Sequence, residues 1–115
     1  MDLRTVERAV EAAKADRLKN AKTLWDSAVV ARDNALLQAA NNQANLNGPR
    51  ANDVDTSNAI ARSSGMISKS REAIDLANQA VVLDASLKPA ADALTKAMAT
   101  NIDHVNKIEI GRAHV

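Results

Sequence analysis

The chain has no cysteine, no phenylalanine and no tyrosine, and Trp25 is its only aromatic residue. Without cysteine, neither a disulfide scaffold nor a cysteine-ligated zinc site can form. β-Sandwiches and barrels draw on aromatic and β-branched residues at alternating spacing, broken by frequent turn residues. Here three glycines (Gly48, Gly65, Gly111) and two prolines (Pro49, Pro89) are spread over 115 residues. Three such scattered glycines build neither a Walker loop nor a dinucleotide fingerprint. No apolar run approaches the roughly 18 residues of a membrane-spanning helix, so no transmembrane segment is expected. The start, Met1-Asp2-Leu3-Arg4, shows no apolar signal region. The expected location is therefore the cytoplasm, or outside the cell after export without a cleavable signal peptide; a fragment of a longer chain fits equally. An excess of charge is missing too: 15 Lys and Arg face 14 Asp and Glu, for a net +1. That balance supplies no basic stripe for nucleic acid.

What the chain has in quantity is alanine, 24 of 115 residues, within a hydrophobic share of 46%. Helix formers dominate residues 3–40. Leu3, Val6, Val10, Ala13, Arg17/Leu18, Ala21, Leu24/Trp25, Ala28, Arg32, Leu36 and Ala39 recur at the period of one helical face. A first helix over about 2–44 follows, with Asp2 as its N-cap. It would be on the order of 55–65 Å long, too long for a compact globule of this size. The Asn-rich stretch from Asn41 to Asn47 leads into Gly48-Pro49. Asn competes for backbone hydrogen bonds and Gly-Pro stops a helix, which puts a turn at 45–53. Asp53, Asp55 or Ser57 would cap the next helix.

Ile60, Ile67, Ile74 and Val81, spaced by seven with Ala77 and Ala80 beside them, predict a heptad seam on a second helix over about 54–85. Ser63, Ser64 and Ser70 are weak intervening positions. The Ser63-Ser64-Gly65 triplet allows either a kink or the close approach of another helix; an unbroken helix is the reading adopted. Asp84 to Lys88 reads as a second turn. Pro89 suits the first turn of a third helix, over about 88–110, and disfavours the α region at Lys88. Leu87, Ala91, Leu94, Met98, Asn101/Ile102, Val105 and Ile108 form its apolar stripe, with Gly111 as C-cap. The fold class expected is all-α: an elongated antiparallel helical hairpin or three-helix bundle with a long first helix, in one helical domain over 1–115.

Residues that carry chemistry are few. His104 and His114 are ten apart, which one helical face cannot bring to one metal. Asp53-Val54-Asp55-Thr56-Ser57 opens like a calcium loop, but Asn58 replaces its glycine and Ser64 its bidentate glutamate. Asp53 and Asp55 read instead as helix-start carboxylates. Serines 63, 64, 68 and 70 have no histidine beside them. Glu7 and Glu11 share a face without the Glu-x-x-His partner motif of a di-metal bundle. No catalytic, cofactor-binding or metal-ligating residue is therefore expected, and the chain is read as not an enzyme. Opposite charges four apart (Lys22/Asp26, Arg71/Asp75, Asp92/Lys96, Asp103/Lys107) suit solvated helix faces.

A long first helix would overhang the third and expose Val29, Val30, Leu36 and Leu37, and such stripes call for cover by another chain. Trp25 fits either a core position or an anchor for a partner. The expectation is a non-enzymatic helical interaction module with a protein partner, self-associating through apolar heptad seams, a dimer favoured. Its interaction residues would be Leu24, Trp25, Leu36, Leu37, Ile60, Ile67 and Ile74. Size, lack of cysteine and Ala-rich helices resemble the small hairpin proteins of WXG-type secretion systems, although Trp25 lies mid-helix and the turn reads Leu46-Asn47-Gly48-Pro49, without Trp-x-Gly. The wealth of Ala, Asn and Ser is similar to that of type III needle, rod and flagellin-like subunits. These likenesses imply an alternative, a subunit or substrate of a signal-peptide-independent secretion apparatus or filament. A helical-bundle ligand carrier is a further alternative.

Overall fold

A computed structural model describes the backbone of residues 2–47 and 53–113, and the side chains of residues 2–40 and 61–107. Three helices make up nearly all of it: α1 (Leu3–Asn47), α2 (Asp53–Leu83) and α3 (Lys88–Ala113), with a short 3-10 turn at Ala85–Leu87. No strand occurs among the described residues. The fold is all-α with a long first helix. α2 runs back along α1, and α3 packs chiefly on α2 and less on α1. The molecule is a rod of 74 × 22 × 16 Å with a radius of gyration of 20.1 Å, against about 13 Å for a compact domain of this length.

Local chemistry explains where the helices start. The Asp2 carboxylate accepts the Arg4 backbone N–H at 3.2 Å, and the Asp2 carbonyl accepts the N–H of Val6. The side chain thus meets one orphan donor of the first turn, and the carbonyl opens the helical ladder. At the second turn Asp84 is extended, and its carboxylate accepts the Ser86 N–H at 3.1 Å and the Ser86 hydroxyl at 2.6 Å. Lys88 departs from expectation. It is helical, at φ −52° and ψ −48°, and its N–H donates to the Ala85 carbonyl. The bond to Ala85 holds it against the steric bias of the following Pro89, whose missing N–H is harmless in a first turn. Gly111 lies inside α3, which continues to Ala113, so it does not cap the helix. α2 passes unbroken through Ser63-Ser64-Gly65. Ser63 is buried, whereas a side chain at Gly65 would meet open space. Of the turn expected at 45–53, residues 45–47 belong to α1 and Asp53 opens α2; Gly48-Pro49 and the side chains of Asp53, Asp55, Ser57, Ile60 and Ile108 lie outside the described residues.

The core is a ladder of small residues. Buried positions on α1 are Ala21, Ala28, Ala31 and Ala35; on α3 they include Ala91, Met98, Asn101 and Val105. Both sets step by seven, three and four residues. Read backwards, α2 supplies the same steps with Ala80, Ala73, Ser70 and Met66. Asn101 hydrogen-bonds Ser70, and Val105 clusters with Met66, which sets the register of α2 against α3. Counting from there puts Ala73 level with Met98, Ala77 with Leu94 and Ala80 with Ala91. Met98 and Leu94 of α3 thus fit over small residues of α2.

The seam of α2 is displaced by one residue from the expected one. Ser63, Met66, Ser70, Ala73, Ala77 and Ala80 are buried, while Ile67, Ile74 and Val81 are half-buried along its edge. On α1, Leu36 is exposed and gives way to Ala35. Closely approaching helices place their smallest residues at the line of contact, and branched side chains are pushed to the flanks. Among the charges, Lys22–Asp26 and Lys107–Asp103 pair at 2.8 and 3.0 Å. Asp92 pairs with Lys88 one turn back, in place of Lys96, and Asp75 accepts from Gln79, in place of Arg71. These exposed pairs contribute little to stability.

The ladder makes a direct prediction. Ala28→Leu forces extra volume between three helices and should destabilise by about 1–3 kcal/mol. Ala12→Leu, at an exposed position on the same helix, should leave the urea midpoint almost unchanged. Circular dichroism during urea unfolding distinguishes the two; equal midpoints would contradict the ladder.

Candidate interaction surface

Helix lengths decide what is left uncovered. α1 has 45 residues and α2 has 31, or about 67 Å against about 46 Å. Because α2 begins just after α1 ends, it reaches back only as far as about Ala21. Every residue from Asp2 to Asn20 is exposed. The bare stretch therefore lies at the start of α1, whereas residues 29–37 run beside α2. Val29 is half-buried there, and Val30, Leu36 and Leu37 are exposed because they sit on outer faces of the covered part.

The bare stretch carries its own apolar stripe. Leu3 is 69% exposed, Val6 40% and Val10 60%, while Leu18, on the outward face that Leu36 continues, lies beside the stripe. Leu3, Val6, Val10, Ala13 and Arg17 stand eighteen residues ahead of Ala21, Leu24, Ala28, Ala31 and Ala35. Eighteen residues are about five turns, so the two sets share one helical face. Further along, that face is the buried seam. Here, among the described residues, no other helix covers it. A lone helix of this length is marginal in water, and an uncovered stripe on it has the character of an interface.

The interaction residues expected from sequence are scattered by the fold. Leu24 and Trp25 are half-buried on α1, and Trp25 and Ile74 pack against the main core cluster. Ile67 packs against Met66 and Val105. Leu36 and Leu37 are exposed on α1, and the Ile60 side chain lies outside the described residues. Leu3, Val6 and Val10 were absent from that expectation. Their periodicity is plain in sequence, but periodicity alone does not tell a covered stripe from a bare one.

Chemistry is sparse elsewhere. Among the described residues no group of three His, Asp or Glu is placed to hold a metal, and no helix is long and apolar enough to cross a membrane. An open groove of about 440 Å³ between α1 and α2 is lined by Val30, Ala31 and Leu76 together with Asp26, Lys69 and Glu72. Lys69 and Glu72 pair with each other across its edge at 3.0 Å. A buried polar contact between helices joins Asn101 Nδ2, as donor, to Ser70 Oγ at 3.1 Å; the Ser70 hydroxyl itself donates to the Met66 carbonyl at 2.9 Å. It acts as a register pin between α2 and α3.

That pin is asymmetric. Ser70→Ala strands the buried Asn101 amide and should cost about 1–3 kcal/mol. Asn101→Leu leaves the Ser70 hydroxyl bonded to Met66 and should shift stability by less than about 1 kcal/mol. Chemical denaturation of the two variants checks the order; the reverse order would contradict the assignment.

Compared with known proteins, the chain matches no family model, no curated sequence and no solved structure.

Proposed function

We propose that this chain is a non-enzymatic helical interaction module that self-associates, as a dimer, through the bare apolar face of α1. It would act in the cytoplasm, or outside the cell after export without a cleavable signal peptide. The observation that carries the reading is the continuity of one helical face. From Ala21 to Ala35 it is buried against the other helices, and from Leu3 to Ala13 it is apolar and uncovered. Such a face gains stability from the same burial that holds the rest of the rod, at about 25 cal/mol per Å² of apolar surface. Trp25, Ile67 and Ile74 support the rod from within by packing on its core. Leu36 and Leu37 offer a smaller apolar strip on α1 itself.

A filament or secretion-apparatus subunit would use the same face by repeated addition. The two assemblies differ in whether the mass stops at two chains. Sedimentation velocity across micromolar concentrations tests this reading. The expected result is a reversible rise in mass from one chain to two. A single-chain mass at every concentration would overturn self-association, and continued growth would favour the filament.

A further inference from the structure

We infer that the partner on this face is a second copy of the same chain, its α1 laid antiparallel, with residues 3–20 of one chain against residues 3–20 of the other. The inference rests on the self-association proposed above and adds its geometry. A two-fold axis midway along the bare stretch overlaps it completely and brings apolar positions into register. Val10 then lies level with Ala13 of the second chain, and Val6 with its Arg17, whose aliphatic stem can lie along apolar surface.

Charge decides between orientations. Along one edge of the stripe stand Glu7 and Lys14; along the other stand Asp2, Ala9 and Asp16. Antiparallel pairing sets Glu7 near Lys14 of the second chain, and Lys14 near its Glu7. Along the opposite edge Asp16 faces Ala9, so no like charges meet. A parallel, in-register pair would instead set Asp2 beside Glu7 and leave Lys14 beside Ala9. The geometry therefore favours the antiparallel pair.

Area sets the strength. Two strips, each about five turns long, bury less than the roughly 1,200 Å² at which standard stable interfaces begin. The dimer should accordingly dissociate in the micromolar range. Overlapping only at their ends, two rods of 74 Å would make a particle roughly 120 Å long.

Charge reversal tests the geometry on the full chain. Glu7→Lys and Lys14→Glu should each weaken the dimer several-fold in sedimentation equilibrium, and the double reversal should restore it. Val10→Asp should abolish the dimer while leaving the monomer's urea midpoint almost unchanged, since Val10 is exposed and lies beyond the reach of α2. A dimer that forms normally with Val10→Asp would overturn this interface and leave self-association standing through another face. A double reversal that fails to recover would overturn the antiparallel register. A wild-type chain that stays monomeric would defeat both the geometry and the self-association beneath it.

Discussion

Close approach of three helices along a line of small side chains is the constraint on which this molecule depends. At most levels of the ladder the facing helices contribute Ala or Ser beside at most one larger side chain; Met66 against Val105 is the exception. Among the described residues only Met66, Leu94, Met98 and Val105 are larger apolar groups that are buried. Full burial of such a side chain is worth about 1.5–3 kcal/mol, and an Ala methyl much less. The rod therefore draws its stability from many thin contacts spread along its length. It stays 16 Å across in its narrowest direction because nothing bulky props the helices apart. Its accessible surface of 7584 Å² exceeds the about 6,100 Å² of a compact monomer of this mass.

A thin seam has consequences for the larger apolar residues. With the line of contact occupied by alanine, Ile67, Ile74, Val81 and Trp25 close its edges, while Val30, Leu36, Leu37 and Val82 remain on the surface. The shorter second helix then leaves five turns of α1 without cover. Fold and surface are in this sense one fact: the length mismatch that makes the rod also exposes the face assigned to the second copy.

The third helix was the most legible part of the sequence. Its large residues, Leu94, Met98 and Val105, stand among alanine and polar neighbours, so their period marks the buried face directly. In α1 the period finds Ala21 and Ala28 on the seam but drifts to Leu36 in place of Ala35, and in α2 it centres on Ile67 in place of Met66, because in an alanine ladder large residues belong to the flank. Ser70 was noted as a weak seam position and Asn101 as an ambiguous one. Their pairing needs the register of α2 against α3, which no local pattern encodes. The bare start of α1 was hidden for the same reason. Its stripe was visible, but its exposure follows from where α2 ends, a property of the whole hairpin. Lys88 shows the converse: a local rule at Pro89 yielded to one backbone hydrogen bond.

The central claim is that residues 3–20 of α1 owe their order to a second chain, while the ladder from Ala21 onward is complete within one. Amide hydrogen exchange measured across a dilution series tests it most directly. The account predicts protection in residues 3–20 that rises with protein concentration, beside protection in residues 70–105 that does not change. Protection in residues 3–20 that is the same at every concentration would contradict it.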